Sequence, residues 1–453
     1  MADIAPLTPL RYDPARLVAD AKGRSEDVGR RIANVVAPPY DVISPEQREL
    51  LAQRDPHNVV QLILPKGPGG TDGDEKYEHA ASLLRRWREE KVLVRDDVPG
   101  FYRYDQTFVA PGTTQKQHRR GFLGLVRLVP FSERVVLPHE RTLSGPKEDR
   151  LKLFRATRTN LSPGFMLYRD SQNELGGALE SGKELFRFET PDGVEHALAK
   201  VSDREALFTI VQKIAQSSLL IADGHHRYET ALRYAEETGG AGGASENGWF
   251  MVFLANGDDP NLVVFPTHRH VHSLASFDFE ELLRKAASTF EVTPATKGIE
   301  AAAVTALLAD AGKRAPSVAV ASAQGDVAIL TLRADVELEK HPTLGTLPDV
   351  LRRTDIALLH MGILEHVLGI TREAQAAKTN LYYPQDASRA LAELRGGKGQ
   401  ALFLMNATPV EAVRRVAEAG EVMPQKSTFF YPKVLTGLTI HTLEPDRTVH
   451  SPR

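Results

Sequence analysis

Leu219-Leu220-Ile221-Ala222-Asp223-Gly224-His225-His226-Arg227-Tyr228-Glu229-Thr230-Ala231-Leu232 carries an apolar run into Asp-Gly and then into a helical pattern. Tyr228, Ala231, Leu232 and Ala235 recur at i, i+3, i+4 and i+7, and Gly239-Gly240 stops the pattern. The spacing predicts a strand, a tight glycine turn and a helix. The first helical turn presents His225, His226 and Arg227, where free backbone N–H groups and the positive dipole end suit an anion, above all a phosphate. Asp223 at the turn suits a metal ion or the orienting of a hydroxyl. The plainer alternative is an ordinary turn with a solvated helix start. Two histidines and an arginine at the anion-binding position favour a site.

Composition narrows the class. The chain has 453 residues, enough for two or three domains; 42% are apolar and 25% charged, as in a globular protein with a sizeable core. A net charge of −3 supplies no global basic field for nucleic acid or a membrane surface, so a small-molecule partner is expected. There is no cysteine, which excludes disulfides, thiolate zinc sites and cysteine nucleophiles. Met1-Ala2-Asp3-Ile4-Ala5-Pro6 lacks a signal peptide's basic and apolar regions, and no run reaches a membrane span, so a cytoplasmic protein is expected. No pattern fixes an oligomeric state.

Outward from the central motif, a polar stretch near 11–35 leads into Ala37-Pro38-Pro39-Tyr40-Asp41-Val42-Ile43-Ser44. The two prolines make a rigid loop that presents Tyr40 and Asp41 as candidate substrate contacts, against the alternative of a locally bonded turn aspartate. Ser44 is placed to cap a helix with Pro45 at its first position. Strands are expected at 58–64, 101–109 and 121–129, with Pro111-Gly112-Thr113-Thr114 as a hairpin-like break, and a helix at 74–91 with Trp87 on its apolar side. In Val136-Leu137-Pro138-His139-Glu140-Arg141-Thr142-Leu143-Ser144-Gly145-Pro146, a strand end presents His139 and Glu140, and the helix beyond carries Lys147, Arg150, Arg155 and Arg158. Ala241-Gly242-Gly243-Ala244-Ser245 reads as a small-residue loop and 249–256 as a buried strand. Beyond a boundary near 273–277, helices are expected at 278–290, 299–312, 348–369 and 386–395, and strands at 317–322, 327–333 and 400–406. Thr408-Pro409-Val410-Glu411 reads as a capping box. Met423-Pro424-Gln425-Lys426-Ser427-Thr428-Phe429-Phe430-Tyr431-Pro432-Lys433 offers Lys426 to an anion.

These features meet the needs of phosphoryl transfer: donors and cations for phosphate, a metal to bridge its oxygens, and a carboxylate to take the acceptor's proton. In that reading Glu140 and Asp223 are catalytic, and Asp223 also binds metal. Gly224, His225, His226, Arg227, Lys147, Arg150 and Lys426 bind phosphate or nucleotide, while His139, Tyr40 and Asp41 meet the substrate. No Walker loop or protein-kinase signature is present. A rival reading is a histidine-based metallohydrolase on His268, His270 and His272, whose alternation puts them on one strand face. Residues i and i+4 of a strand lie ~13 Å apart, so at most two could share an ion.

The motifs APPYDVIS (37–44), LPHERTLSGPKEDRLKLFRATRTNLSPGF (137–165), ADGHHRYETAL (222–232) and MPQKSTFFYPK (423–433) resemble a bacterial and archaeal family described as a domain of unknown function. The central motif also resembles the ParB/sulfiredoxin-like fold, whose free-serine kinases carry Asp-Gly-His-His-Arg and a catalytic glutamate in an upstream His-Glu pair. Asp223-Gly224-His225-His226-Arg227 matches the first and His139-Glu140 the second. The resemblance implies an α/β (α+β) protein with a ParB/sulfiredoxin-like core at 100–272, an N-terminal α/β region at 1–99 and a C-terminal α/β domain at 273–453. It implies a kinase, with Mg2+ and ATP, ADP or pyrophosphate as donor, acting on a small hydroxyl compound such as L-serine. The spacing between Glu140 and Asp223 exceeds that of a compact ParB-like domain, so an insertion must fill it. The alternative from another class is a nucleotide-binding regulator or adaptor without efficient chemistry.

Overall fold

The computed structural model describes residues 1–17, 27–111, 113–142, 144–240 and 242–452, with 144–146 described by backbone alone. Part of the polar stretch near 11–35 (residues 18–26), Gly112 of the hairpin break, Leu143 of the second motif and Ala241 of the small-residue loop lie outside the described residues. The protein is a mixed α and β structure of two compact units. The first comprises Met1–Leu137, Leu143–Val263 and Tyr431–Arg453; the second comprises Pro138–Thr142 and Val264–Phe430.

The first unit is built on a nine-stranded mixed sheet among the described residues. Its order runs Val136–Leu137, Leu219–Asp223, Gly164–Tyr168, Trp249–Asn256, Lys116–Arg127, Phe101–Val109, Glu195–Val201 and Lys183–Glu189, with Ile4–Ala5 added beside Lys116–Arg127. Leu219–Asp223 runs parallel to Val136–Leu137 and antiparallel to Gly164–Tyr168. Strands buried on both faces need apolar side chains throughout, which is why 249–255 and 219–222 read as continuous apolar runs. Phe250, Val252 and Leu254 share a core with Leu219, Ile221, Tyr228 and Ala231. That core covers the apolar face of the helix His225–Glu237, as its period required. This helix packs on Ser144–Thr157, which packs in turn on Glu75–Glu89, where Trp87 is fully buried.

The second unit holds a six-stranded antiparallel sheet in the order Phe290–Pro294, Val327–Leu332, Ser317–Ser322, Ala401–Met405, Arg269–Val271, Leu381–Tyr382. Helices Ala301–Gly312 and Ala387–Arg395 bury Val304, Leu308, Leu391 and Leu394 against it.

Three local expectations are corrected. The run at 58–64 is helical at Val60–Ile63, because the Asn58 side chain accepts from the Val60 N–H at 2.9 Å and donates to the Asn34 and Val36 carbonyls. An apolar run without a period does not distinguish buried strand from buried helix. The helix expected at 348–369 is broken into Asp349–Arg352, Asp355–Ala357 and a π-helix, Leu358–Glu365. Thr408 makes no capping box; Pro409 is the cap, and the Thr408 hydroxyl donates to the Ser427 carbonyl instead. The Ser44 box with Gln47 does form, with both of its hydrogen bonds.

Candidate phosphate site

The strand Leu219–Asp223 ends at a residue that only glycine adopts without strain. Gly224 has φ 93 and ψ 29, and the helix begins at the next residue, with the Tyr228 N–H bonded to the Gly224 carbonyl at 3.0 Å. A Cβ here would stand 3.0 Å from the Arg227 Cζ, so the guanidinium packs directly on the glycine. As the cap residue, Gly224 has no side chain to take the helix's first N–H groups.

Two cations converge on Asp223. Arg227 Nη2 donates to Oδ1 at 2.9 Å, and Lys433 Nζ donates to Oδ2 at 2.7 Å. Arg227 is buried and also bonds the Pro163 carbonyl. Lys433 is placed by its backbone: Gln106 Nε2 donates to the Lys433 carbonyl at 3.0 Å, and Arg119 Nη2 to the Pro432 carbonyl at 2.6 Å. Arg119 itself is buried, lies over the Phe165 ring at 4.9 Å, and is pushed down to about 10 by burial. Tyr40 joins the same cluster. Its ring lies 4.4 Å from the Arg150 guanidinium carbon, and its hydroxyl, pushed up by burial, also feels Asp41, Arg150, Arg227 and Asp223. Arg150 in turn bonds the Ile63 carbonyl at 2.6 Å and Asp149 at 2.8 Å. The single helical turn Val60–Ile63, where a strand is expected from sequence, therefore anchors a site arginine.

The structure thus brings together Tyr40, Arg150, Asp223, Gly224 and Arg227 within the first unit, with Asp41 exposed on the loop beside Tyr40. His225 is buried and His226 half-buried on the first helical turn. Lys147 has a different engagement, donating to Glu229 Oε2 at 2.6 Å between two helices. Lys433 and Arg119 were missed as site residues. Lys433 stood in a motif already singled out for Lys426; Arg119 gave no local signal.

His139, Glu140 and Lys426 belong to the second unit. Residues 139–141 lie beside Met423, whose N–H bonds the His139 carbonyl at 2.8 Å, and His139 Nε2 lies 3.0 Å from the Thr428 hydroxyl. The Glu140 charge acts on Arg269, Lys378 and Tyr383. Arg269, buried, donates to the Lys426 carbonyl at 3.0 Å.

The histidine-based metal reading loses its geometry. Within the triplet only His270 lies inside the strand Arg269–Val271, and His268 Nδ1 accepts from the Met405 N–H. Among the described residues no three His, Cys, Asp or Glu side chains stand together to hold a metal ion. Among them, too, no helix is long and apolar enough to cross a membrane.

The family described as "Protein of unknown function (DUF1015)" matches residues 18–356. No curated protein matches the chain. Among solved structures, a conserved hypothetical protein from Pyrococcus furiosus is 15% identical, covers 70% of this chain and 93% of its own, and has a TM-score of 0.33. A free serine kinase in complex with AMP is 12% identical over 69% of this chain and 90% of its own, with a TM-score of 0.37. SbnI with a C-terminal truncation, from Staphylococcus aureus, is 11% identical over 71% and 90%, with a TM-score of 0.36.

Proposed function

This chain belongs to the DUF1015 family, and from its own geometry we propose that it is a phosphotransferase acting on the hydroxyl of a small metabolite, such as L-serine, with a nucleotide or pyrophosphate donor. The observation that carries the reading is the turn at Asp223–Arg227. A left-handed glycine opens a helix whose first N–H groups it cannot cap, and Arg227 and Lys433 supply positive charge beside it. Phosphate oxygens take such N–H groups and cations together.

In the chemical step the acceptor oxygen attacks phosphorus, the bond from phosphorus to the donor's bridging oxygen breaks, and the acceptor's proton passes to a carboxylate. Glu140 fills that last role in this reading, through its resemblance to the His-Glu pair of the free-serine kinases. General-base help of this kind is worth ~10²–10⁴-fold. The residues present do not fit a magnesium ion held by Asp223. Both its oxygens are already engaged by cations, so metal ligation would cost it Lys433 or Arg227. No step is therefore assigned to a protein-bound metal.

The test is a screen of ATP, ADP and pyrophosphate against serine, related hydroxy acids and small polyols, with and without magnesium, read by mass spectrometry. A phosphorylated product that disappears in Glu140→Gln supports the reading. Turnover unchanged in that variant overturns Glu140 as the base. Nucleotide binding abolished by Arg227→Ala, with no product from any pair, overturns the kinase in favour of a nucleotide-binding regulator. That second reading draws on the same carboxylate, which exchanges partners if an anion draws Lys433 away.

A further inference from the structure

The first unit contains a cavity of about 270 Å³ beside the phosphate site. Its walls are mostly aliphatic. Ala33 comes from the helix Val28–Val35, Leu50 and Leu51 come from the helix Pro45–Arg54, and Val194 and Leu435 complete the lining. Two pieces of chain tie this cavity to the Asp223–Arg227 turn. Lys433 stands in its wall and bonds Asp223 Oδ2 through Nζ at 2.7 Å, so a single lysine side chain joins the wall to the strand end. The loop 38–43 lines the cavity with Pro38, Val42 and Ile43. The same loop carries Tyr40, whose ring lies 4.4 Å from the Arg150 guanidinium carbon and whose hydroxyl feels Arg227 and Asp223.

The polar groups of the lining are already engaged. His196, pushed down to about 3 by burial, is neutral, and its ring nitrogens lie 2.6 Å from the Tyr104 hydroxyl and 2.9 Å from the Thr190 hydroxyl. The Lys433 charge is met by Asp223, while Arg54 and Asp192 are exposed to solvent. Among the described residues, no buried side-chain polar atom of this lining lacks a partner. A body placed here loses its water and gains no hydrogen bond, which penalises polar groups and favours apolar ones. A nucleobase, with ring nitrogens and amines that need partners, fits poorly, and no Phe, Tyr or Trp among the described residues lines the cavity to stack on it. L-serine fits poorly too, since each of its carbons carries a polar group. The space holds about nine water-sized groups at ~30 Å³ each.

We propose that the acceptor is a hydroxyl compound with an aliphatic body of about six to eight carbons, and that its phosphate ester binds with the phosphate at the Asp223–Arg227 turn and the body in this cavity. The proposal rests on the phosphoryl-transfer reading and narrows its acceptor from a fully polar compound to an amphiphilic one. Transfer joins the acceptor oxygen to phosphorus and leaves the carbon body unchanged, so alcohol and ester meet the same walls. Binding energy from the buried body then holds the reacting oxygen near the turn, and polyols and hydroxy acids are rejected because their bodies lose hydrogen bonds on entry.

The experiment is calorimetric titration of the full chain with inorganic phosphate, methyl phosphate, hexyl phosphate, O-phospho-L-serine and AMP. A fully buried methylene is worth about fourfold in affinity, so hexyl phosphate is expected to bind at least tenfold more tightly than methyl phosphate. O-Phospho-L-serine is expected to bind no more tightly than methyl phosphate. Ala33→Leu, at a half-buried position of the wall, should weaken hexyl phosphate at least tenfold and leave methyl phosphate and AMP within threefold. Leu50→Ser, at an exposed position that does not endanger folding, should weaken hexyl phosphate alone. Equal binding of methyl and hexyl phosphate overturns the proposal, as does unchanged hexyl phosphate affinity in the folded variants. Equal losses of AMP and hexyl phosphate in Ala33→Leu would place a nucleoside in the cavity and also overturn it. All three results leave the phosphate reading standing. If neither inorganic nor methyl phosphate binds, that reading falls and the proposal falls with it.

Discussion

Lys433 Nζ lies 2.7 Å from Asp223 Oδ2, a bond that spans 210 positions of sequence and joins the final segment of the first unit to the central strand end. Both side chains are about one-sixth exposed, so the pair is well shielded from solvent. Breaking a charge-assisted bond of this kind costs ~1.5–3 kcal/mol. Lys433→Met is expected to lower thermal stability by that order and to weaken phosphate or nucleotide binding at least tenfold. A double-mutant cycle with Asp223→Asn checks it; simple additivity would show that the two groups are not coupled.

Gly224→Ala tests the turn. Forcing a Cβ into φ 93 costs ~1–2 kcal/mol before any contact is counted, and the new atom meets the Arg227 guanidinium. The expected outcome is a loss of stability of about that size in denaturant unfolding, accompanied by weaker anion binding. Binding unchanged at full occupancy would show that the helix start does not hold the phosphate.

Lys147 separates charge from site. Its sequence context places it with the phosphate ligands, but it pairs with Glu229. Lys147→Met is expected to change stability by less than ~1 kcal/mol, as partly exposed pairs do, and to leave donor affinity within threefold. A tenfold loss of affinity would return Lys147 to the site.

The helix start at His225 was readable because Asp-Gly and a 3.6-residue apolar period are local signals. So was the Ser44 cap. Lys433 was not, although it stood in a quoted motif, because its position is set by Gln106 and Arg119 bonding its own and its neighbour's carbonyls from distant strands. Arg119 gave no signal either: on a strand an arginine reads as solvent-facing, and only tertiary structure buries it over Phe165. The run at 60–63 misled for a related reason. Its conformation is fixed by Asn58 bonding back to residues 34 and 36, which no window on the run itself contains.

The second unit is expected to lose stability in acid. Burial pushes His268 and His270 down to about 4 and His360 to about 3. A neutral folded histidine takes up its proton on unfolding, so stability is full above about pH 6.5 and falls as pH drops toward 4. Asp355, pushed up to about 6 by burial, has the opposite sign, gaining stability as pH falls from 6 toward 4. With His341, also pushed down to about 4 by burial, four histidines against one carboxylate leave a net loss. Melting curves from pH 7.5 to 4 measure it, and His270→Leu should flatten the slope, since neither ring nitrogen of His270 has a hydrogen-bond partner among the described residues. A melting temperature that rises on acidification would contradict the assignment.

The first unit closes only with Tyr431–Arg453, which supplies Lys433 and the strand His441–Thr442 that pairs with Thr159–Asn160. During synthesis the ribosome must therefore add a further 210 residues before the carboxylate at 223 meets its lysine. A nascent chain stopped short of residue 433 carries the Asp-Gly-His-His-Arg motif without the completed charge pair, so the site is assembled only well after its central strand and helix have been made.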